Sequence, residues 1–283
     1  MASTTQQVQT ALAEANAQWT AGDTPVSSRS DQERRRALGA VPSAAAMARA
    51  KAAPQVVAAA FDTVVDWRSR NGGNQVTPVR DQGGCGSCVS FATCALIESM
   101  ARIERGTTLD LSEADSHFCS VHGPTCDGWW PDACLDEAIS RGICPESQFP
   151  YATAFPNGDI FAQPPKCVVP AGRSAVQVAA RVELASPVSV KNRLTSTGPV
   201  VGCFTVYEDF YHYKTGIYHH VTGTEQGGHC VLVIGYSEPD QCWICKNSWH
   251  TTWGDAGFFR IAYADFLLSN QFFPMYGASG VIP

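Results

Sequence analysis

Cys88 is preceded by Gly83-Gly84-Cys85-Gly86-Ser87 and followed by an unbroken apolar stretch from Val89 to Ile97. A glycine-rich turn feeding an apolar helix sets this thiol near a helix N-terminus. Unpaired backbone N–H groups and the helix dipole favour a thiolate there, and a nearby imidazolium lowers its pKa further. A positioned thiolate can attack an amide carbonyl, being a far better nucleophile than a hydroxyl. Gln82 can project its side-chain amide beside the sulfur and, with the Cys88 N–H, bind the oxyanion of a tetrahedral intermediate. The base has to come from seven histidines. His229 stands out because Gly227-Gly228 precede it and an apolar strand, Cys230 to Ile234, follows. Asn247, on the next strand in Lys246-Asn247-Ser248-Trp249, can orient the His229 ring, and Trp249 can cover that bond from water.

The elements that must carry these groups differ along the chain. Val8, Leu12, Ala15 and Trp19 recur at helical spacing, so a helix is expected from about residue 5 to 18. Ser30-Asp31-Gln32-Glu33 has the capping-box pattern and should open a second helix through Arg34, Arg35 and Arg36. Residues 43–60, rich in Ala, read as a linker. With so few large apolar residues, this front part needs another surface to fold on. Beyond Phe61 the composition turns globular. A helix should run on from Cys88 and another should start at Leu111-Ser112, with Ser112 as N-cap. Strands are expected at Val200 to Tyr207, Gly216 to Val221, Cys230 to Tyr236, Cys242 to Lys246 and Gly257 to Ile261. Helices first and strands afterwards predict an α+β protein of two lobes.

Composition narrows the function. The 283 residues are 45% hydrophobic and 16% charged, too apolar for disorder. A formal charge of -6 argues against a nucleic-acid binder. No apolar run approaches a transmembrane span, and MASTTQQVQTALAEA lacks the features of a signal peptide. Twelve cysteines point to an oxidising compartment with some bridges and some buried thiols. The expected location is therefore secreted, periplasmic or lysosome-like.

The segments Gln82-Gly83-Gly84-Cys85-Gly86-Ser87-Cys88, Gly228-His229 and Lys246-Asn247-Ser248-Trp249 resemble the Cys, His and Asn motifs of the papain/cathepsin family, a known signature of that family. Asp66-Trp67-Arg68, Val76-Thr77-Pro78-Val79-Arg80, Leu111-Ser112-Glu113, Phe149-Pro150-Tyr151 and Trp253-Gly254-Asp255-Ala256-Gly257 extend the match in order, over residues 62–263. The resemblance implies a papain-like fold with a helical lobe, mainly residues 80–185, whose central helix begins at Cys88. It implies a β-barrel lobe, mainly 62–79 and 186–283, that carries His229 and Asn247. It further implies a cysteine peptidase acting on peptide or protein substrates, monomeric, with no cofactor and no metal. Two positions depart from the family. Val89 stands where Trp is usual, and Trp129 replaces a second glycine in Cys126-Asp127-Gly128-Trp129-Trp130-Pro131, where substrate backbone is expected to run. Trp130, Pro131 and Cys203 are expected to line an apolar pocket, with Gly128, Trp129, Gly228 and Trp249 completing the substrate cleft.

By the same resemblance Cys85 should pair with Cys126, and Cys119 with Cys167. Cys134 and Cys144 could bridge each other, and Cys94, Cys203, Cys230 and Cys245 should be buried free thiols. Cys242 and Cys245, three apart on a strand, point to opposite faces and cannot share a metal. His219-His220 reads as packing rather than a metal site. Residues 1–61 are similar, through Trp19-Thr20-Ala21-Gly22 and Leu38-Gly39, to the short pro-regions of cathepsin B-type enzymes. Trp19 would then anchor on the β-rich lobe, and Leu38 to Pro42 would cross and block the cleft. Cleavage near Ala58 to Val64 would release residues 62–283 as the peptidase domain. The direct run from Gly142-Ile143-Cys144 to Phe149-Pro150-Tyr151 leaves no room for an occluding loop, so an endopeptidase is expected. The competing readings are a catalytically weak homologue acting as a binding protein, and a thiol–disulfide oxidoreductase using the C-x-x-C pairs.

Overall fold

The computed structural model describes residues 3–53, 61–168, 172–267 and 274–283. The first part of the expected cleavage stretch, residues 58–60, lies outside them.

Helix α1 (Thr5–Glu14) opens on a capping box between Thr4 and Gln7 and buries Val8 and Leu12. It ends earlier than the periodicity predicts because Asn16 takes a left-handed conformation, φ 50°. Strand β1 (Trp19–Ala21) follows, then α2 (Asp31–Arg36), capped by Ser30 and Glu33 as its sequence predicts. The expected linker is helical over α3 (Ala44–Ala52), with Ser43 as N-cap.

The body begins with β2 (Val64–Asp66), and α4 (Cys88–Arg105) follows. Every residue of α4 from Cys88 to Ala101 is buried, and Gly106 at φ 65° stops the helix. Beside it lie α5 (Glu113–Phe118), with Ser112 accepting the Asp115 N–H, and α6 (Pro131–Ser140), with proline in its first turn. The chain then supplies β3 (Gln177–Leu184), α7 (Pro187–Ser196), β4 (Val200–Tyr207), β5 (Tyr213–Tyr218), β6 (Glu225–Ser237), β7 (Cys242–Lys246), β8 (Phe258–Ala262), α8 (Tyr263–Leu267) and β9 (Met275–Ile282).

Among the described residues the strands form one sheet in the order β1-β5-β8-β7-β6-β4-β9-β3, with β2 paired to β6. The sheet is not closed, so the expected barrel is corrected to an open sheet. Its path ends on β1 at one side and β3 at the other, and those two do not pair. Strand β3 also corrects the lobe boundary. Residues 177–184, expected with the helices, pair antiparallel with β9 over seven registered positions. Strand β4 reads as a continuous apolar run because all but its last residue are buried. Helix α4 lies against β6 and β9, and this contact joins the helical side to the strand side.

Three disulfides are present: Cys85–Cys126, Cys119–Cys167 and Cys203–Cys230. The third corrects the expectation of free thiols at 203 and 230. Those cysteines face each other directly across β4 and β6, a register that sequence spacing does not reveal. Cys134 and Cys144 do not bridge; both are buried thiols. Cys134 lies 3.5 Å from Ser116 Oγ, whereas Cys144 belongs to a separate cluster with Phe149, Tyr151 and Phe155. Cys94, Cys242 and Cys245 are also buried and free. No group of metal-ligating side chains assembles among the described residues, and no described helix is long and apolar enough to cross a membrane.

Candidate active site

Cys88 is the first residue of α4, and its sulfur is fully buried beneath the N-terminal segment. Backbone amides of Cys230, Gly39, Val89 and Cys88 itself are directed at it. Burial nevertheless pushes the thiol up to about 11, and the amides only soften that rise. Burial likewise lowers His229 to about 4, against a smaller raising effect of its bond to Asn247. In this covered form both groups are neutral. A dry site cannot hold the separated charges that a helix N-terminus would otherwise favour.

The tautomer of His229 follows from its neighbours. Asn247 Oδ1 accepts the Ser248 N–H at 2.8 Å, which identifies it as oxygen and not nitrogen. His229 Nε2 lies 2.7 Å from that oxygen and must donate to it. A neutral ring then carries its lone pair on Nδ1, which is buried without a hydrogen-bond partner among the described residues. Trp249 stacks on the imidazole with ring centroids 4.5 Å apart, closing the far side to water. The next residue along β6, Cys230, is among the backbone groups that act on the Cys88 thiol, and α4 packs against β6, but His229 Nδ1 makes no hydrogen bond to the Cys88 sulfur in this covered form.

Gln82 is fixed at both ends of its amide. Its Oε1 accepts from Ser248 Oγ at 2.6 Å, and its Nε2 donates to Cys85 O at 2.7 Å. The remaining N–H donates to Ala37 O of the N-terminal segment at 3.1 Å. A carbonyl of the covering chain thus sits on the donor expected to hold an oxyanion. Ser248 escaped the sequence reading although it links Gln82 to Asn247; its position between two singled-out residues was the available signal. Tyr151, named above only within Phe149-Pro150-Tyr151, has a role here that its motif does not reveal. Its hydroxyl bonds the Gln82 carbonyl at 3.0 Å and Ser87 Oγ at 2.7 Å, bracing the turn that enters α4.

The segment crosses the cleft in extended form. The N–H groups of Gly39 and Ala40 both donate to Gly228 O at 3.0 Å, and Trp129 N–H donates to Gly39 O at 2.8 Å. Val41 N–H donates to Trp129 O at 3.1 Å, and Ala40 pairs with Trp129 in parallel. Glycine is required at the crossing. A Cβ on Gly39 would lie 1.9 Å from Gly86 O, and one on Gly128 would lie 2.2 Å from Gly39 O. Trp129 does not fill the cleft with its ring. The indole is buried inward, edge-on to His117 at 6.0 Å, and only its backbone faces the segment. Trp130 remains 43% exposed, whereas Pro131 is buried in the first turn of α6. Cys203, expected on the pocket wall as a thiol, is tied up in its disulfide.

Away from the cleft, Trp19 docks on the sheet edge. Strand β1 pairs antiparallel with β5, Trp19 Nε1 donates to His219 O at 2.9 Å, and the indole packs on Tyr213 and Tyr218. His220 bonds the buried Asp209 and stacks on Tyr207. Arg34 turns inward over Tyr211 and donates to Ser27 O and Arg29 O, with no carboxylate partner among the described residues. On the opposite side Arg49 of α3 pairs with Glu183 and Asp132.

Comparison with known proteins adds to this geometry. Residues 61–270 match the model of the papain family cysteine proteases. The chain is 31% identical to cathepsin B-like cysteine proteinase 4 of Caenorhabditis elegans, over 72% of this chain and 70% of that protein. It is 32% identical to pro-cathepsin H of Mus musculus over 71% of its own length, spanning 60% of that protein. Among solved structures, procathepsin B S9 from Trypanosoma congolense superimposes with a TM-score of 0.82 at 22% identity, covering 98% of each chain. Digestive procathepsin L 3 of Tenebrio molitor gives 0.77 at 24% identity, over 97% of this chain and 87% of that one.

Proposed function

The chain belongs to the papain family of cysteine proteases, and on that premise we propose that it is a cysteine endopeptidase held latent by its own N-terminal segment. One observation carries the reading: an imidazole with Nε2 committed to Asn247 and Nδ1 left open, on the strand against which α4, headed by the Cys88 thiol, is packed. Departure of the segment admits water and substrate and frees the second Gln82 N–H. His229 Nδ1 then takes the Cys88 proton, and the ion pair forms that the covered site cannot hold. The thiolate attacks the scissile carbonyl, and Gln82 Nε2 with the Cys88 N–H stabilises the oxyanion. His229 protonates the leaving amine, and a water activated by the same ring hydrolyses the thioester.

Residues 1–61 act as propeptide and 62–283 as the peptidase. Trp130 and Pro131, with the backbones of Gly128, Trp129 and Gly228, border a pocket for a bulky apolar side chain. Endopeptidase action is supported by the short connection at residues 145–148, which inserts nothing across the cleft. All named groups come from one chain, so a monomer suffices. Three disulfides suit an oxidising compartment such as a secreted or lysosome-like one.

The test is incubation at acidic pH with a thiol-trapping epoxide. Loss of the N-terminal segment, internal cuts in a long peptide, and stoichiometric labelling abolished by Cys88→Ala are expected. Labelling that survives Cys88→Ala refutes the assignment. Release of dipeptides alone, without internal cuts, refutes the endopeptidase mode.

A further inference from the structure

Cys203 and Cys230 lie directly opposite on β4 and β6, with Cα atoms 4.0 Å apart and a disulfide between them. This is the closely spaced kind of antiparallel pair. The bridge sits one residue along β6 from His229. Cys230 follows His229 and aims its amide at the Cys88 sulfur. The next registered pair is Phe204 and His229, whose rings meet edge-on at 6.1 Å. The imidazole and the amide on the thiol are therefore both set by how tightly β4 and β6 are held at this rung.

We propose that the Cys203–Cys230 bridge is a positioning element for Cys88 and His229, so that the site requires one sulfur reduced and two neighbouring sulfurs oxidised. The proposal rests on the cysteine-peptidase reading above. A monothiol such as glutathione opens the bridge by two successive exchanges. The S–S bond breaks, Cys203 and Cys230 leave as thiols, and two glutathiones leave joined as their own disulfide. Unbonded sulfurs cannot stay roughly 2 Å apart. Their contact distance is on the order of 3.5–4 Å. Both residues are buried in close-packed strands, so the extra room has to come from movement of β6 at 229–230. Cys88 is already a free thiol, so reductant should act on the site only through the bridge, and activity should fall as the bridge opens.

The full-length protein is equilibrated in glutathione buffers of stepped potential, quenched and alkylated. Mass analysis reports the state of residues 203 and 230. The rate and pH midpoint of Cys88 alkylation by iodoacetamide report on the site and need no peptidase activity. The expected result is Cys88 labelling slowed roughly threefold or more, the loss of one hydrogen bond to the sulfur. Its pH midpoint should rise at the same potential at which Cys203 and Cys230 become labelled. The double variant C203V/C230A, which has no bridge at any potential, should label Cys88 at the slow rate of the reduced wild type throughout and show no step; if it fails to fold, the wild-type titration decides alone. Thiols at 203 and 230 in the oxidised protein, or bridge opening that leaves the Cys88 rate and midpoint unmoved, overturns the proposal. Absent peptide hydrolysis with the coupled labelling intact counts against the peptidase reading and leaves the bridge's role standing.

Discussion

The N-terminal segment and the body beneath it are built on opposite principles. The body buries a contiguous set of large side chains, with Trp67, Trp243, Trp249 and Trp253 all essentially inaccessible. The segment has few large apolar residues and spaces them out: Val8 and Leu12 from α1, Trp19 on the sheet edge, Val26 beyond it and Leu38 in the cleft, with the small Ala37, Ala40 and Ala46 buried besides. Between these anchors it relies on backbone hydrogen bonds to Gly228 and Trp129 and on exposed ion pairs. Burial scales with apolar area, so the body stands on its own core while the segment is stable only where the body receives it. On the proposed reading, this difference lets the cover leave without unfolding what it covers.

The sharpest test of that division is His229→Ala. It should lower kcat/KM by about 10⁴-fold or more, as removal of a catalytic base does in such sites, while thermal unfolding of the body barely moves. Trp19→Ala acts on the other side. Truncating a buried Trp costs about 3–5 kcal/mol. The segment should therefore open roughly a hundredfold to several-thousandfold more readily, read as faster loss of the N-terminal piece, with the processed enzyme's kcat/KM unchanged. A drop in body stability on Trp19→Ala would break the comparison.

Acidity should act on the same equilibrium. In Cys88→Ala, where no ion pair can form, His229 is held near 4 by burial and returns toward its usual 6.5 once water enters. The covered state therefore binds fewer protons. Its stability is whole above the uncovered pKa and is lost as pH falls from 6.5 toward 4, by up to about tenfold per pH unit. Opening rates measured across that window should climb, and His229→Ala, which no longer titrates there, should flatten the climb. The smallest effect belongs to Arg49→Ala. At Glu183 burial raises the pKa, but hydrogen bonds from Arg49 and Arg181 outweigh it and leave it lowered. The pairing holds above the ordinary glutamate range and fades as pH falls below it. Exposed pairs of this kind contribute about 1 kcal/mol at most, so a few-fold faster opening at neutral pH is expected.

What the sequence revealed was what local chemistry encodes. The turn into α4, the capping residues Ser30 and Ser112, the strands at 200–207 and 242–246, and the proximity of His229 to Asn247 all follow from neighbouring residue types. What it hid depends on register and on distant partners. The pairing of Cys203 with Cys230 is set by which β4 residue faces which β6 residue. The open sheet follows from β3 joining β9 almost a hundred residues away. Trp129 looked like an obstacle because its neighbours in sequence line the cleft, yet its ring had an interior to enter beside His117. The protonation of Cys88 and His229 was hidden for a different reason. It reflects the cover more than the pair itself.

Strand β1 leaves one more mark on the molecule. When residues 19–21 depart, β5 keeps a row of main-chain donors and acceptors with nothing beside them, next to the rings of Tyr213 and Tyr218. Such a rim invites another chain to lie along it. Lys214, whose stem rests against Gly22 in the covered form, is then left standing at that rim with its charge in water. A single cation on so short an edge is a common guard against self-association, and here it is already in place before the edge is bared.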